Sequence, residues 1–287
     1  MAGKYQVRSI SLPSRSHPIS VRFEQELNSL KSWEASSASS SNEICALLAG
    51  LEEAYNCANE LAGVQSACET LSNCKSEMWA SDCLFDGSVK MLDVCSTSRE
   101  TMLTAKGHVQ AIQSAIRRRK GDSSIQKSIS GYLSFRKQMT KSATKMIVLL
   151  KQINHVSTTS SIRDGNARPI KVLQDLTAVT ISVFESLLTF LAEPSYAKAT
   201  KWSLVSKVMA KRAAAQNDKF LNEFACVDAV IFKPGSSQVS PLVNAQLVLE
   251  KLAALEIAIR GIDDRLECIF RCLVTLRVSL LNKMSSY

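Results

Sequence analysis

Apolar residues recur along the last part of the chain at alternating steps of three and four residues. The pattern holds at eleven positions over 36 residues: Ala245, Val248, Leu252, Leu255, Ile259, Ile262, Leu266, Ile269, Leu273, Leu276 and Leu280. This spacing places them on one side of a helix and predicts a seam that packs against other helices. Because burial of a leucine or isoleucine contributes about 1.5–3 kcal/mol, the seam is costly to expose. We expect it to pack within the same chain; self-association into a homo-oligomer is the alternative.

Two further long helices are predicted in the middle of the chain. One runs from about Glu77 to Arg118, and the next runs from Asp122 or Ser123 to about His155. Gly121 suits the position just past a helix C-terminus, so the connection is very short. A short connection makes neighbouring helices antiparallel, and the two are expected to form a helical hairpin. The seam of the second helix is apolar except at Arg136.

Shorter helices are predicted on both sides of this hairpin. They cover about Val21–Glu34, Ser41 or Asn42 to Leu61, the stretch after Pro169 to Ala192, Lys201–Arg212, and Asn217–Phe232. The part from Leu176 to Ala192 carries Glu185 as its only charge. Its length and its serine and threonine residues favour a central core helix over a membrane span.

These elements predict an all-α fold, an elongated antiparallel helical bundle with coiled-coil-like long helices. Ten glycines and six prolines are too few for the turns of a β-sandwich or barrel. Hydrophobic residues at 46% and charged residues at 21% are typical of a globular chain. We expect a flexible N-terminal arm over residues 1–18, which lacks acidic residues, and a single helical-bundle domain over residues 19–287.

Charge is distributed unevenly along the chain, whose net charge is +9. Residues 42–116 carry four basic and ten acidic side chains, and residues 117–145 carry nine basic and one acidic. Attraction between these two segments in an antiparallel pair explains the basic block without nucleic acid, which we do not expect as a partner. The alternative is a basic face that binds protein partners or an anionic membrane surface. Its candidate residues are Arg117, Arg118, Arg119, Lys120, Arg136, Lys137, Lys141 and Lys145.

Catalytic, cofactor-binding and metal-binding patterns are missing from the sequence. No Walker A, G-x-G-x-x-G, H-E-x-x-H or G-x-S-x-G motif occurs, and the three histidines lie apart. Cys268 and Cys272 share a helix face, but no second pair of ligands follows them. We therefore expect no enzyme activity, no cofactor and no metal. The nine cysteines are interpreted as packed free thiols, which indicates an intracellular, cytoplasmic protein.

The N-terminal arm contains one candidate phosphorylation site. Ser11 follows Arg8 by three residues, a spacing that suits kinases that prefer a basic residue at this offset. Added phosphate would reverse the local charge and could dock on the basic face. A serine-rich and arginine-rich start without acidic residues also resembles an organelle transit peptide, although it lacks a clear amphipathic helix.

Three segments resemble the plant-specific BYPASS-related family. They are Tyr5–Pro18, Asp86–Cys95 and Ile116–Gly121. The resemblance covers nearly the whole chain and implies a helical plant protein with a family-level association with root and shoot development. It implies no catalytic residues. With the long seams and the basic arm, it favours a non-enzymatic scaffold or regulatory interaction protein with unidentified protein partners; the alternative is a peripheral membrane protein that binds anionic lipid.

Overall fold

The computed structural model describes residues 18–33, 38–63, 78–118, 122–159, 168–193, 222–231 and 245–285. Within these ranges the regular structure consists of seven helices without a strand, which confirms the all-α class. The helices are α1 (Pro18–Trp33), α2 (Ser41–Gly63), α3 (Met78–Arg117), α4 (Asp122–Thr159), α5 (Arg168–Ala192), α6 (Glu223–Ile231) and α7 (Ala245–Ser285).

Local capping explains where two of the helices begin. A capping box precedes α2, in which Glu43 Oε2 accepts a hydrogen bond from the Ser40 amide at 3.2 Å and the Glu43 amide donates to Ser40 Oγ at 3.4 Å. Helix α1 begins at Pro18, three residues before the predicted start, because proline is favoured in the first turn of a helix. Pro18 was assigned to the predicted arm, whose other residues lie outside the described part of the chain.

Helix α6 begins later than the sequence predicts. Asn222 Oδ1 accepts a hydrogen bond from the Phe224 amide at 2.9 Å, so Asn222 is the N-cap of a helix that starts at Glu223. Residues 217–221 lie outside the described ranges, as does the predicted helix Lys201–Arg212. Helices α3, α4, α5 and α7 otherwise begin within about two residues of their predicted starts.

The α3–α4 hairpin has the predicted antiparallel arrangement. Gly87 near the start of α3 lies against Ile153 near the end of α4. Farther along α3, the His108 ring stacks on the Phe135 ring, with centroids 5.0 Å apart. The two helices therefore run in opposite directions.

Helix α7 lies between α2 and α3 within the same chain. It is antiparallel to α3, since Arg99 pairs with Asp263 and Glu267 while Arg277 contacts Ser88. Nine of the eleven predicted seam positions are buried, and Ala245 and Leu280 at the two ends are partly buried. The expectation that this seam packs inside the chain is confirmed. All seven described helices contribute side chains to one hydrophobic core.

Helix α5 combines length with an apolar sequence. Its part from Val172 to Ala192 is long and apolar enough to cross a membrane by length and composition, and it is the only such stretch in the described residues. Just over half of it, 56%, is buried within the bundle. Thr180 within it shares a hydrogen bond of 2.9 Å with the buried Tyr55 hydroxyl of α2. This burial and polar contact favour the predicted core helix.

Candidate functional site

Helix α4 carries a surface with a single sign of charge. After Asp122 the helix has no acidic residue as far as Thr159. Five lysines are exposed on it, and we call them the lysine face: Lys127, Lys137, Lys141, Lys145 and Lys151. Lys137, Lys141 and Lys145 were predicted from the sequence as candidate interaction residues, and Lys127 and Lys151 are added by the structure.

The lysine face lies opposite the buried seam of α4. With 3.6 residues per turn, the five lysines fall within roughly 120° of the helix circumference and span about 36 Å along the axis. The opposite side contains the predicted seam, all of which is buried: Ile125, Ile129, Tyr132, Arg136, Met139, Ala143, Met146, Leu150 and Ile153. Exposed serine and threonine residues and the half-exposed Val148 separate the lysines.

Acidic side chains of the described residues form ion pairs elsewhere in the bundle. Glu52 of α2 pairs with Arg265 of α7 at 3.1 Å, and Glu53 of α2 pairs with Arg22 of α1. Among the described residues, none of the five lysines makes an ion pair. The expected attraction between the acidic segment and the basic segment therefore produces no ion pair between α3 and α4 in this part of the chain.

Arg136 does not belong to the basic face, contrary to the sequence-based assignment. Its side chain is only 1% exposed. It occupies a seam position, which lies about 100° around the helix from Lys137 and faces the core. A buried guanidinium requires a charged partner, and the sequence pattern does not indicate which residue this is.

Asp228 of α6 is the partner of Arg136. Its Oδ2 atom lies 3.0 Å from both Nε and Nη2 of the arginine, and the aspartate is fully buried. Arg136 also donates hydrogen bonds to the backbone oxygens of Leu191 at 3.3 Å and Glu193 at 3.2 Å, at the end of α5. Its guanidinium carbon lies 4.9 Å from the Phe224 ring centroid. One side chain thus joins α4, α5 and α6.

Tyr132 lies one turn before Arg136 and is buried beside the same ion pair. Burial, followed by the negative charge of Asp228, raises the pKa of Tyr132 well above its usual value. The phenol therefore remains neutral at physiological pH. We interpret this group as a structural lock, because both charges and the phenol are enclosed in the core.

The basic run at the end of α3 is only partly described. Arg117 and Arg118 are exposed and line an open polar groove of about 440 Å³ between α3 and α7. The Glu256 carboxylate in this groove accepts hydrogen bonds from Gln110 at 2.9 Å and Gln113 at 3.2 Å. These bonds, that from Gln110 first, lower the pKa of Glu256 and keep it ionised. Arg119, Lys120 and the candidate phosphorylation site Ser11 lie outside the described residues.

Six cysteines have described side chains, at positions 45, 57, 95, 226, 268 and 272, and all six are buried or partly buried. Cys95 of α3 donates a hydrogen bond to the backbone oxygen of Leu266 at 3.4 Å. The described residues contain no group of three or more histidine, cysteine, aspartate or glutamate side chains that could hold a metal ion.

Cys95 is expected to resist alkylation in the folded protein. Burial raises the pKa of Cys95 to about 12 and the pKa of Cys272 to about 11, so very little reactive thiolate is present at pH 8. Mass spectrometry after iodoacetamide treatment should find Cys95 unmodified in native protein and modified in urea. Rapid modification of Cys95 in the native protein would contradict its position in the core.

Together these observations define a helical bundle in which one helix presents a basic surface. The family model described as Protein BPS1 matches residues 47–282, from within α2 to near the end of α7. The match covers more than four fifths of the chain, so the protein belongs to the BPS1 family, and the resemblance to BYPASS-related proteins is confirmed. Searches of the curated proteins and of the solved structures found no match.

Proposed function

We propose that this member of the BPS1 family is an intracellular, non-enzymatic scaffold or regulatory interaction protein that acts in plant root and shoot development. On this proposal the bundle works by presenting fixed surfaces to protein partners. The observation that supports it most is the separation of charge among the described helices. Surfaces of opposite sign guide protein association and restrict the choice of partner.

The described residues carry equal numbers of basic and acidic side chains, 21 of each. Helix α4 has six basic and one acidic side chain, whereas the other described segments together have 15 basic and 20 acidic. The bundle is therefore neutral in total but basic along α4. On α3, the exposed Asp86, Asp93 and Glu100 recur every seven residues and form an acidic ridge, in which Asp86 pairs with Lys90 at 2.6 Å.

The helices that bear these charges are held in fixed positions. Nine buried seam residues attach α4 to the core, and Arg136 links it to α5 and α6. A surface supported in this way loses little conformational freedom when a partner binds. A rigid support and separated charges both favour specific association with partners, which is why we favour this function.

Affinity capture from detergent-solubilised plant extract tests the proposal without a membrane present. The wild-type chain should capture at least one protein reproducibly. Reversal of the acidic ridge by Asp93→Lys with Glu100→Lys should remove a protein that binds α3. Reversal of α4 by Lys137→Glu, Lys141→Glu and Lys145→Glu should remove a protein that binds α4. The matched control Lys137→Arg, Lys141→Arg and Lys145→Arg keeps the charge and should retain partners of α4. If the folded wild-type chain captures no reproducible protein, the scaffold function is wrong.

A further inference from the structure

We propose that the lysine face is a docking surface for an anionic membrane, against which α4 lies lengthwise. This inference goes beyond the proposed scaffold function, which concerns protein partners only. It depends on five exposed lysines that have no ion-pair partner among the described residues. Their shared position on the outer side of one helix brings all of them to a flat surface together.

The type of cation on this surface favours a membrane over a folded protein partner. All five exposed cations are lysines, and the arginine of α4 is buried. Lysine is a compact and strongly hydrated charge on a flexible stem, whereas arginine is the residue that binds carboxylates and phosphates in a fixed two-bond geometry. A row of lysines therefore suits the diffuse charge of lipid headgroups.

The shape of the surface leads to the same conclusion. The lysines lie on the outer side of the helix over about 36 Å, and the residues between them are mostly small and polar. Protein interfaces usually depend on aromatic, arginine or apolar anchors that enter pockets, and the lysine face offers only Val148 as a half-exposed apolar side chain. A lipid surface needs no such anchor.

The residues outside the described ranges add to the net positive charge of the chain. Residues outside the described ranges contain 14 basic and only five acidic side chains. The segment 194–221 has six basic and one acidic side chain, and it follows Glu193, whose backbone oxygen binds Arg136 of α4. The excess positive charge of the chain therefore adds to the attraction for an anionic surface.

Vesicle flotation with the purified full-length chain tests this inference in the absence of other proteins. The vesicles contain phosphatidylcholine alone or with about 30 mol% phosphatidylserine, which supplies the negative surface. We expect binding to the anionic vesicles only, and release when salt is raised from about 0.1 M to about 1 M. Equal binding to both vesicle types, or no binding to either, overturns the inference.

Variants separate the lysine face from the other basic segments of the chain. Loss of one lysine near a membrane weakens binding about fivefold, so Lys137→Glu with Lys141→Glu and Lys145→Glu should weaken it at least 100-fold. The corresponding triple arginine variant should bind as well as wild type. All three positions are exposed, so circular dichroism should show an unchanged fold. Full binding by the glutamate variant would assign the membrane contact to other segments and overturn the inference.

The outcome also distinguishes this inference from the scaffold function. If purified protein fails to bind anionic vesicles but α4 charge reversal removes a protein captured in detergent, the lysine face binds an acidic protein and the membrane inference is wrong. If vesicle binding depends on the three lysines while no protein is captured, the membrane inference stands and the scaffold function fails.

Discussion

Replacement of Asp228 with alanine is expected to destabilise the protein by about 3–5 kcal/mol, because it leaves the guanidinium of Arg136 buried without its counter-ion. The arginine is 1% exposed and the aspartate is fully buried, so water cannot take the place of the lost carboxylate without opening the core. The remaining hydrogen bonds from Arg136, to the backbone oxygens of Leu191 and Glu193 and to the sulfur of Met139, do not neutralise its charge. Urea unfolding should show the lower free energy of unfolding. Thermal unfolding should show a fall in Tm on the order of 10 °C.

A double-variant cycle separates the ion pair from simple loss of packing. When both partners are replaced by apolar residues, as in Arg136→Met with Asp228→Leu, no unpaired charge remains in the core. Such replacements are often close to neutral, so the double variant should be more stable than either single variant. If Asp228→Ala costs less than about 1 kcal/mol, the pair is hydrated or open in solution, and the structural lock described here is wrong.

Leu266→Ala in the seam of α7 is expected to cost about 2–5 kcal/mol, which combines the lost burial of the side chain with the cavity left behind. Leu266 has no exposed surface and lies where α7 crosses Cys95 of α3. Ile257→Ala is the matched control, since Ile257 is an apolar residue of the same helix that is 72% exposed. It should change stability by no more than about 0.5 kcal/mol.

The comparison of these two variants measures which side of α7 faces the core. Both remove apolar atoms from the same helix, so effects on helix propensity are small and similar in size. Chemical denaturation gives the two free energies of unfolding on one scale. Equal losses at the two positions would show that the seam is not the packed side, and would contradict the arrangement of α2, α3 and α7.

The sequence predicted the helical framework because the periodic signal is local and strong. The nine seam positions of α4 are all buried, as are the central nine of α7. The antiparallel α3–α4 pair followed from a short connection at Gly121, although that connection itself lies outside the described residues. In each case residues close together in sequence determine the pattern, so one amino-acid sequence is enough to predict the helix and its buried side.

The role of Arg136 could not be predicted because its partner is remote. Asp228 lies 92 residues later, on a short helix whose start was placed too early. The seam pattern did place Arg136 on the inward side, but the basic residues around it suggested a common surface. The position of Arg136 around the helix predicts its burial better than the charge of its neighbours does, since the adjacent Lys137 points outward.

The charge pattern was harder to interpret than the apolar pattern. Opposite net charges in consecutive segments indicated that α3 and α4 attract each other. In the described residues Glu53 of α2 pairs with Arg22 of the preceding helix, and Glu52 pairs with Arg265 of α7, 213 residues away in sequence. The net charge of a segment does not show which face of its helix bears the charged side chains. The five lysines therefore have no ion-pair partner among the described residues, although the preceding segment is acidic.

The central claim is that α7 completes a bundle within one chain and leaves the lysine face on the outside. The most direct test is the urea midpoint of unfolding measured over a 100-fold range of protein concentration. A fold that is closed within one chain should give the same midpoint at every concentration. A midpoint that rises with concentration would mean that a second copy covers the seam of α7, and would contradict the account.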